Sequence, residues 1–294
     1  MPERIRKVGI ITKRQPLRAP AILRGLTRWL SRHGIQHRLD RQTAAVWRPG
    51  GDGGAGEDRG ALAAWADVIL VIGGDGTLLS VARDIGASRT PILGVNLGSL
   101  GFLTEIPLEG LYPALTGLLA GRFTVRRRMR LKAEIVRGSV SLASHEVLNE
   151  VVVSKSAIAR VLDINVDVNG RFMTTFKADG MIVSTPTGST AYSLSAGGPI
   201  VDPSVDAMIL CPICPHTLSN RPVVMPDRSR IGIRLAENHG DVHVTIDGQV
   251  GSPFLPGHEI RIAKSRHPLR LVQLPDKDYF EMLREKLKWG GRVR

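Results

Sequence analysis

The rhythm of apolar positions changes once along this chain, near residue 121. Before that point short β-branched runs alternate with helical spacing. KVGIIT at 7–12, VILVI at 68–72 and PILGVN at 91–96 are apolar throughout, as strands of a buried parallel sheet are. Residues 19–33 and LEGLYPALTGLLAG at 108–121 repeat their apolar side chains at helical intervals. Leu78, Leu79, Val81, Ala82 and Ile85 do the same after the 68–72 run, with Thr77 as the expected N-cap. That alternation predicts an open α/β unit. Between its elements, RPGGDGGAGEDRG at 48–60 reads as a mobile linker, since it lacks both a preceding strand and the Gly-Lys-Ser/Thr ending of a phosphate loop.

Beyond 121 the segments are shorter and alternate: LKAEIVRG, EVLNEVVVS, VLDINVDVNGRFM, GMIVSTP, SRIGIRLAE, DVHVTIDGQ and EIRIAKS. Strands at this density, with a hairpin turn at Asn169-Gly170, predict a second, mainly β domain. Helical spacing returns in KDYFEMLREKLKW, 277–289. The expected division is therefore an α/β domain at 1–121, a β-rich domain at 122–271, and a C-terminal segment at 272–294 that packs back on the first. No internal repeat interrupts it.

Composition narrows the partners. The 294 residues carry 40 Lys plus Arg against 27 Asp plus Glu, a formal net charge of +13 that attracts polyanions. Nucleic acid, nucleotides and polyphosphate all qualify. The densest basic stretch, RFTVRRRMRLK at 122–132, is interleaved with apolar residues in the manner of an amphipathic strand. With only 4% aromatic residues, base-stacking platforms are scarce, which argues against a dedicated nucleic-acid module. No run is apolar for long enough to suggest a signal peptide or membrane span, and two cysteines cannot make a disulfide framework, so the cytoplasm is the expected compartment.

Four stretches carry candidate chemistry. Gly73-Gly74-Asp75-Gly76-Thr77 joins a buried strand to a helix N-terminus, where free N–H groups and the helix dipole favour an anion. A carboxylate repels that anion. Asp75 therefore either holds a metal ion, accepts a proton from a reacting hydroxyl, or is a solvated cap in an ordinary tight turn. ADGMIVSTPTGSTAYSLSAGGP, 178–199, follows a strand with a turn crowded with hydroxyls and glycines, which lets a polar ligand approach the backbone; Tyr192 adds a ring and a hydroxyl. No Gly-x-Ser-x-Gly elbow is present. Asn149-Glu150 sets an amide and a carboxylate inside an apolar strand, either facing a cleft, where they suit an adenine edge and a pair of ribose hydroxyls, or solvated on an edge strand. Cys211 and Cys214 with His216 resemble half a zinc site without a second half, and are expected to be plain thiols.

In their order, GGDGT at 73–77, NLGSLGFLTE at 96–105, NE at 149–150, DGMIVSTPTGSTAYSLSAGGPI at 179–200, PHTLSNRPVV at 215–224 and DGQ at 247–249 resemble the NAD kinase family across almost the whole chain. GGDGT is shared with phosphofructokinases and lipid kinases; TPTGSTAYSLSAGGP is not. The resemblance implies an N-terminal Rossmann-like α/β domain and a C-terminal β-sandwich. It implies transfer of the terminal phosphoryl group of ATP, or of inorganic polyphosphate, to the 2′-hydroxyl of the adenosine ribose of NAD. A divalent ion, Mg or Mn, would come with ATP and no tightly bound protein-ligated metal is expected; the assembly would be a homo-oligomer, dimer or tetramer. By the same resemblance Asp75 is the general base, and Gly74, Gly76 and Thr77 bind nucleotide. Asn149 and Glu150 take the adenosine part, and Thr190, Ala191, Tyr192, Ser193, Leu194 and Ser195 line the dinucleotide. Lys177, Asp179 and Gln249 stand at the rim, with Arg160 as a further contact. The readings held against it are a lipid or sugar kinase of the same superfamily and a basic nucleic-acid binding protein.

Overall fold

In the computed structural model, residues 5–13, 19–47, 56–98, 101–156, 161–217, 219–236, 241–275 and 278–289 are described. The chain divides into one unit made of Met1–Arg127 with Arg270–Arg294 and a second made of Arg128–Leu269. The first begins β1 (Lys7–Thr12), α1 (Ala19–Arg32), β2 (Gln36–Leu39), α2 (Arg41–Trp47) and α3 (Arg59–Trp65). It continues β3 (Val68–Gly73), α4 (Asp75–Asp84), β4 (Ile92–Asn96), β5 (Ile106–Pro107), α5 (Leu111–Leu119) and β6 (Thr124–Arg128). Strands β2, β1, β3 and β4 lie side by side, all parallel. Every residue of β3 and β4 is buried, which is why both read as unbroken apolar runs.

Two readings change here. The basic stretch placed at the head of the second domain supplies β6 to the sheet of the first unit instead. The 48–60 linker stops short of its expected end: Glu57 bridges to Asp40, and Asp58 caps α3 by accepting from the Gly60 N–H. Its residues 48–55 lie outside the described residues.

The second unit contains β7 (Leu131–Arg137), β8 (Val140–Val147), β9 (Glu150–Lys155), β10 (Leu162–Val168), β11 (Arg171–Ala178), β12 (Gly180–Ser184), α6 (Tyr192–Ser195), β13 (Ala207–Ile213), β14 (Val223–Pro226), β15 (Ile231–Leu235), β16 (Val242–Ile246), β17 (Val250–Pro253) and β18 (His258–Lys264). The strands form two six-stranded sheets, β11-β10-β15-β18-β7-β8 and β14-β13-β12-β9-β16-β17. One apolar core joins their facing sides, with Leu131, Ile164, Phe176 and Ile260 from the first and Val151, Val153, Met181 and Leu210 from the second. The other face of the second sheet is buried too. Val152, Ile182, Ile209 and Cys211 pack there with Ala196 and Val201, so β9, β12 and β13 are apolar on both sides. The hairpin turn between β10 and β11 sits at Asn169 and Gly170, both at positive φ. The chain then returns as β19 (Leu269–Gln273), which lies between β4 and β6 in the first sheet, and α7 (Tyr279–Leu287).

Arg59 holds the front of the first unit together. Its guanidinium reaches Asp40 Oδ2 at 3.0 Å, Ser80 Oγ at 2.6 Å and Asp84 Oδ2 at 2.7 Å. Asp40 is buried and its other oxygen accepts the Thr43 N–H at the start of α2, so one cation ties the cap of α2 to α4. Arg59→Ala leaves a buried carboxylate without its counter-charge, a loss of about 3 to 5 kcal/mol. Thermal denaturation should show Tm falling by roughly 10 °C; a shift under about 2 °C would mean that Asp40 keeps its charge without this partner.

Candidate active site

The turn after β3 is built by glycine. Gly74 is the N-cap of α4, extended at φ −124° and ψ −174°, and its carbonyl takes the N–H groups of Thr77 and Leu78 at 2.9 and 3.2 Å. Thr77 is therefore inside the first helical turn and not the cap, and its side chain folds over Gly73, where a Cβ would collide with it. A cleft of about 300 Å³ opens on this turn, lined by Thr12, Lys13, Gln42, Arg59, Gly74, Gly76, Thr77 and Ser80. Two cations and a helix N-terminus converge there, as an anion requires. Neither Lys13 nor Arg59 was singled out in the sequence. Lys13 directly follows an apolar strand, the one signal available; Arg59 sits in what reads as a linker.

Asp75 is not among the residues lining that cleft. Its carboxylate turns to the segment after β4, accepting the N–H groups of Phe102, Leu103 and Thr104 at 2.8, 3.1 and 3.0 Å and the Thr104 hydroxyl at 2.9 Å. Three of these donors fall on Oδ1 and one on Oδ2. A carboxylate oxygen has two lone pairs, so Oδ2 retains capacity for one more donor. Gly101 permits the approach, because a Cβ there would run into the Asp75 carboxylate and the Thr104 hydroxyl. The turn thus separates charge: anion-binding groups face one side, and the acid faces another.

Asn149 and Glu150 stand where the chain leaves β8 in one sheet and enters β9 in the other. The expected single strand EVLNEVVVS is broken at this corner. The edge-strand reading fails as well, since β9 is interior, between β12 and β16. Asp247 holds the corner: its carboxylate accepts the N–H groups of Leu148, Asn149 and Glu150 at 3.0, 2.7 and 3.2 Å. The turn beginning at Thr185 closes on it from another side, with the Thr185 hydroxyl donating to the Leu148 carbonyl at 2.6 Å and Gly188 lying against the Asn149 carbonyl. The Glu150 side chain is 4% exposed, and its Oε2 has no hydrogen-bond partner. Burial, reinforced by the Asp247 charge and opposed by the Tyr192 N–H, raises its pKa from 4.5 to about 8. At neutral pH this carboxyl is therefore protonated, able to donate one hydrogen bond and accept others, where the sequence suggests a charged acceptor.

The Tyr192 N–H donates to Glu150, which brings the stretch from Thr190 to Ser195 to this corner. Tyr192 and Ser195 are exposed; Thr190, Ala191 and Leu194 are partly so. Ser193 departs from the expected lining. Its side chain is fully buried, turned inward against Gly198 and beside Cys211. Gln249 is exposed in the turn that carries Asp247. Lys177 and Asp179 are elsewhere. Asp179 pairs with Lys155 at 2.8 Å, at the opposite end of β9 from Glu150, about 17 Å away at the strand rise per residue. Lys177 is exposed, 3.8 Å from Asp163. Arg160 lies outside the described residues. Cys211 is buried in the apolar layer and Cys214 is exposed; among the described residues no three His, Cys, Asp or Glu side chains gather as a metal site.

Comparison with known proteins agrees in both units. The family profile for the ATP-NAD kinase N-terminal domain matches residues 59–123, and that for the ATP-NAD kinase C-terminal domain matches 148–274. NAD kinases of Geotalea daltonii and Citrifermentans bemidjiense are 47% and 48% identical to it, over 98% of this chain and 100% of theirs. Among solved structures, an NAD kinase from Archaeoglobus fulgidus in complex with ATP superposes with a TM-score of 0.75 at 26% identity, covering 97% of this chain and 100% of that one. Yeast NADH kinase complexed with NADH shares the fold, with a TM-score of 0.88 at 24% identity, over 100% of this chain and 90% of the other. With both domains matched and relatives aligned from end to end, this chain belongs to the NAD kinase family.

Proposed function

We propose that this protein is an NAD kinase that transfers the terminal phosphoryl group of ATP to the 2′-hydroxyl of the adenosine ribose of NAD, giving NADP. The observation that carries the reading is the division of the Gly73–Thr77 turn. It offers a phosphate-sized cleft with Lys13 and Arg59 on one side, and Asp75 with a free lone pair on another. A lipid or sugar kinase would use a similar turn, but it is not favoured by end-to-end likeness to NAD kinases.

In the transfer a bond forms between the 2′-oxygen and the γ-phosphorus, and the bond from that phosphorus to the β,γ-bridging oxygen breaks. The hydroxyl proton passes to Asp75, whose orientation is set beforehand by its four donors. The donor's anionic chain rests against Gly74, Gly76 and Thr77. Inorganic polyphosphate carries the same repeating charge and is the second donor to test. A divalent cation would neutralise the donor's phosphates.

Asn149 and Glu150 hold the adenosine part, and Tyr192 offers its ring and hydroxyl beside them. The separation of Asp179 from Glu150 along β9 supports a homo-oligomer, dimer or tetramer, in which copies share acceptor contacts; sedimentation as a monomer at assay concentration would remove that part of the reading. Two unpaired cysteines fit a reducing cytoplasm, and no helix among the described residues is long and apolar enough to cross a membrane.

Enzymatic assay of NADP formation from NAD with ATP or polyphosphate tests the assignment directly. In that assay Asp75→Asn should lower turnover at least about 10²-fold, the scale of a lost general base, while NAD binding survives. Near-normal turnover would leave Asp75 only the task of holding the Phe102–Thr104 backbone.

Glu150 makes a separate prediction for the free protein. Its folded pKa is raised, so the folded state binds the extra proton between about pH 4.5 and 8 and loses stability as pH rises through that window. At about 1.4 kcal/mol per unit, the loss is on the order of 3 to 4 kcal/mol. Denaturant unfolding should show Glu150→Gln gaining on the wild type by that amount between pH 5 and 8.5. A gap between the two proteins that does not change with pH would show that Glu150 titrates normally when folded.

A further inference from the structure

The corner between β8 and β9 poses a problem of backbone accounting. A chain that crosses from one sheet to another cannot keep its N–H groups in a single ladder, and buried donors left without acceptors are destabilising. Here the N–H groups of Leu148, Asn149 and Glu150 all turn to one side chain from almost a hundred residues further along, Asp247. That residue is 5% exposed and adopts a left-handed backbone, φ 49°, in the turn after β16, where its own N–H bonds the Glu150 carbonyl at 3.0 Å. Glycine or asparagine would serve that backbone equally well. The carboxylate is therefore there for what it binds.

Its charge is matched from behind. Arg130 is buried at 1% exposure, donates from Nε to the His267 carbonyl at 2.5 Å, and stands 3.4 Å from Glu146 Oε2. Both Glu146 and Asp247 favour the charged form of Arg130 against the burial that opposes it. We propose that Asp247 is the positioning residue of the acceptor-nucleotide site: its carboxylate fixes the Asn149–Glu150 backbone, and its charge, added to the burial of the Glu150 carboxyl, biases which hydrogen bonds that carboxyl offers the ligand. This rests on the reading of Asn149 and Glu150 as NAD-binding residues.

The surroundings of Glu150 leave Asp247 as its ionisable neighbour among the described residues. β12 presents Ser184 across from it, α6 presents the Tyr192 N–H, and Arg130 faces Asp247 and Glu146. Burial and Asp247 together keep the Glu150 carboxyl protonated up to about pH 8. A neutral carboxyl meets an anionic dinucleotide as a hydrogen-bond donor. Once ionised, it adds a second carboxylate charge beside Asp247 and disfavours the same ligand.

Calorimetric titration with NAD from pH 5.5 to 9.5 tests this on the full-length wild type, Asp247→Asn and Glu150→Gln. In the wild type NAD affinity should fall as pH rises through about 8, and Glu150→Gln should show no such fall. Asp247→Asn keeps the shape and one acceptor but removes the charge. It should bind NAD at least about tenfold more weakly at pH 7, the scale of a lost charge-assisted bond, with the fall displaced to lower pH by about a unit or more. A weakened variant whose midpoint stays at the wild-type pH would make Asp247 a structural acceptor only and overturn the proposal. Should that variant fail to fold, the other two proteins still decide: a wild type with the same pH dependence as Glu150→Gln overturns it. A wild type that binds no NAD at any pH would instead strike at the functional reading itself.

Discussion

Backbone N–H groups that leave regular structure must still find acceptors, and in this protein two aspartates meet that demand at the places where chemistry is expected. Asp75 collects three N–H groups and a hydroxyl from the segment that follows β4. Asp247 collects three more at the crossing between the two sheets of the sandwich. Each carboxylate reaches across a long stretch of sequence to a segment that has no ladder of its own, and each needs a neighbour without a side chain or with an unusual backbone. Gly101 gives Asp75 its room; the left-handed turn aims Asp247. Remove either acid and a set of backbone donors, buried or partly buried, loses its acceptor together.

Charge is handled in the same economy. The anion cleft gathers Lys13 and Arg59 at the N-terminus of α4 while Asp75 is turned away from it, so one short glycine turn presents opposite chemistries in different directions. Arg59 does double service, since it also neutralises the buried Asp40 and reaches Asp84. In the second unit Arg130 offsets Glu146 and Asp247. Glu150 is the exception: burial, reinforced by the Asp247 charge, keeps it protonated near neutrality at a cost in stability, and its buried Oε2 has no hydrogen-bond partner among the described residues. A buried carboxyl with an unpartnered oxygen is difficult to explain by folding alone and simple to explain by a ligand.

What the sequence determined by itself was the local chemistry. Apolar runs announced β1, β3 and β4, helical spacing announced α1, α4, α5 and α7, and Asn169-Gly170 announced a hairpin, because each depends on periodicity or on backbone preferences confined to a few neighbouring residues. The glycine turn was legible for the same reason, and the order of the motifs pointed to the family. Tertiary structure alone decided the rest. Thr77 looks like a cap until Gly74 is seen to take that place. Arg59 looks like linker until Asp40 and Asp84 are seen to anchor it, and Asp58 until it is seen to cap α3. Ser193 looks like its neighbours until the packing of Gly198 and Cys211 turns it inward, and Asn149-Glu150 reads as mid-strand until the chain is seen to change sheets there. The direction in which Asp75 points is set by groups 27 to 29 residues away, and the protonation of Glu150 by its burial in the folded protein, reinforced by Asp247 about a hundred residues away. Hydrogen bonds and charges act through space and not along the chain, so only folding could fix them.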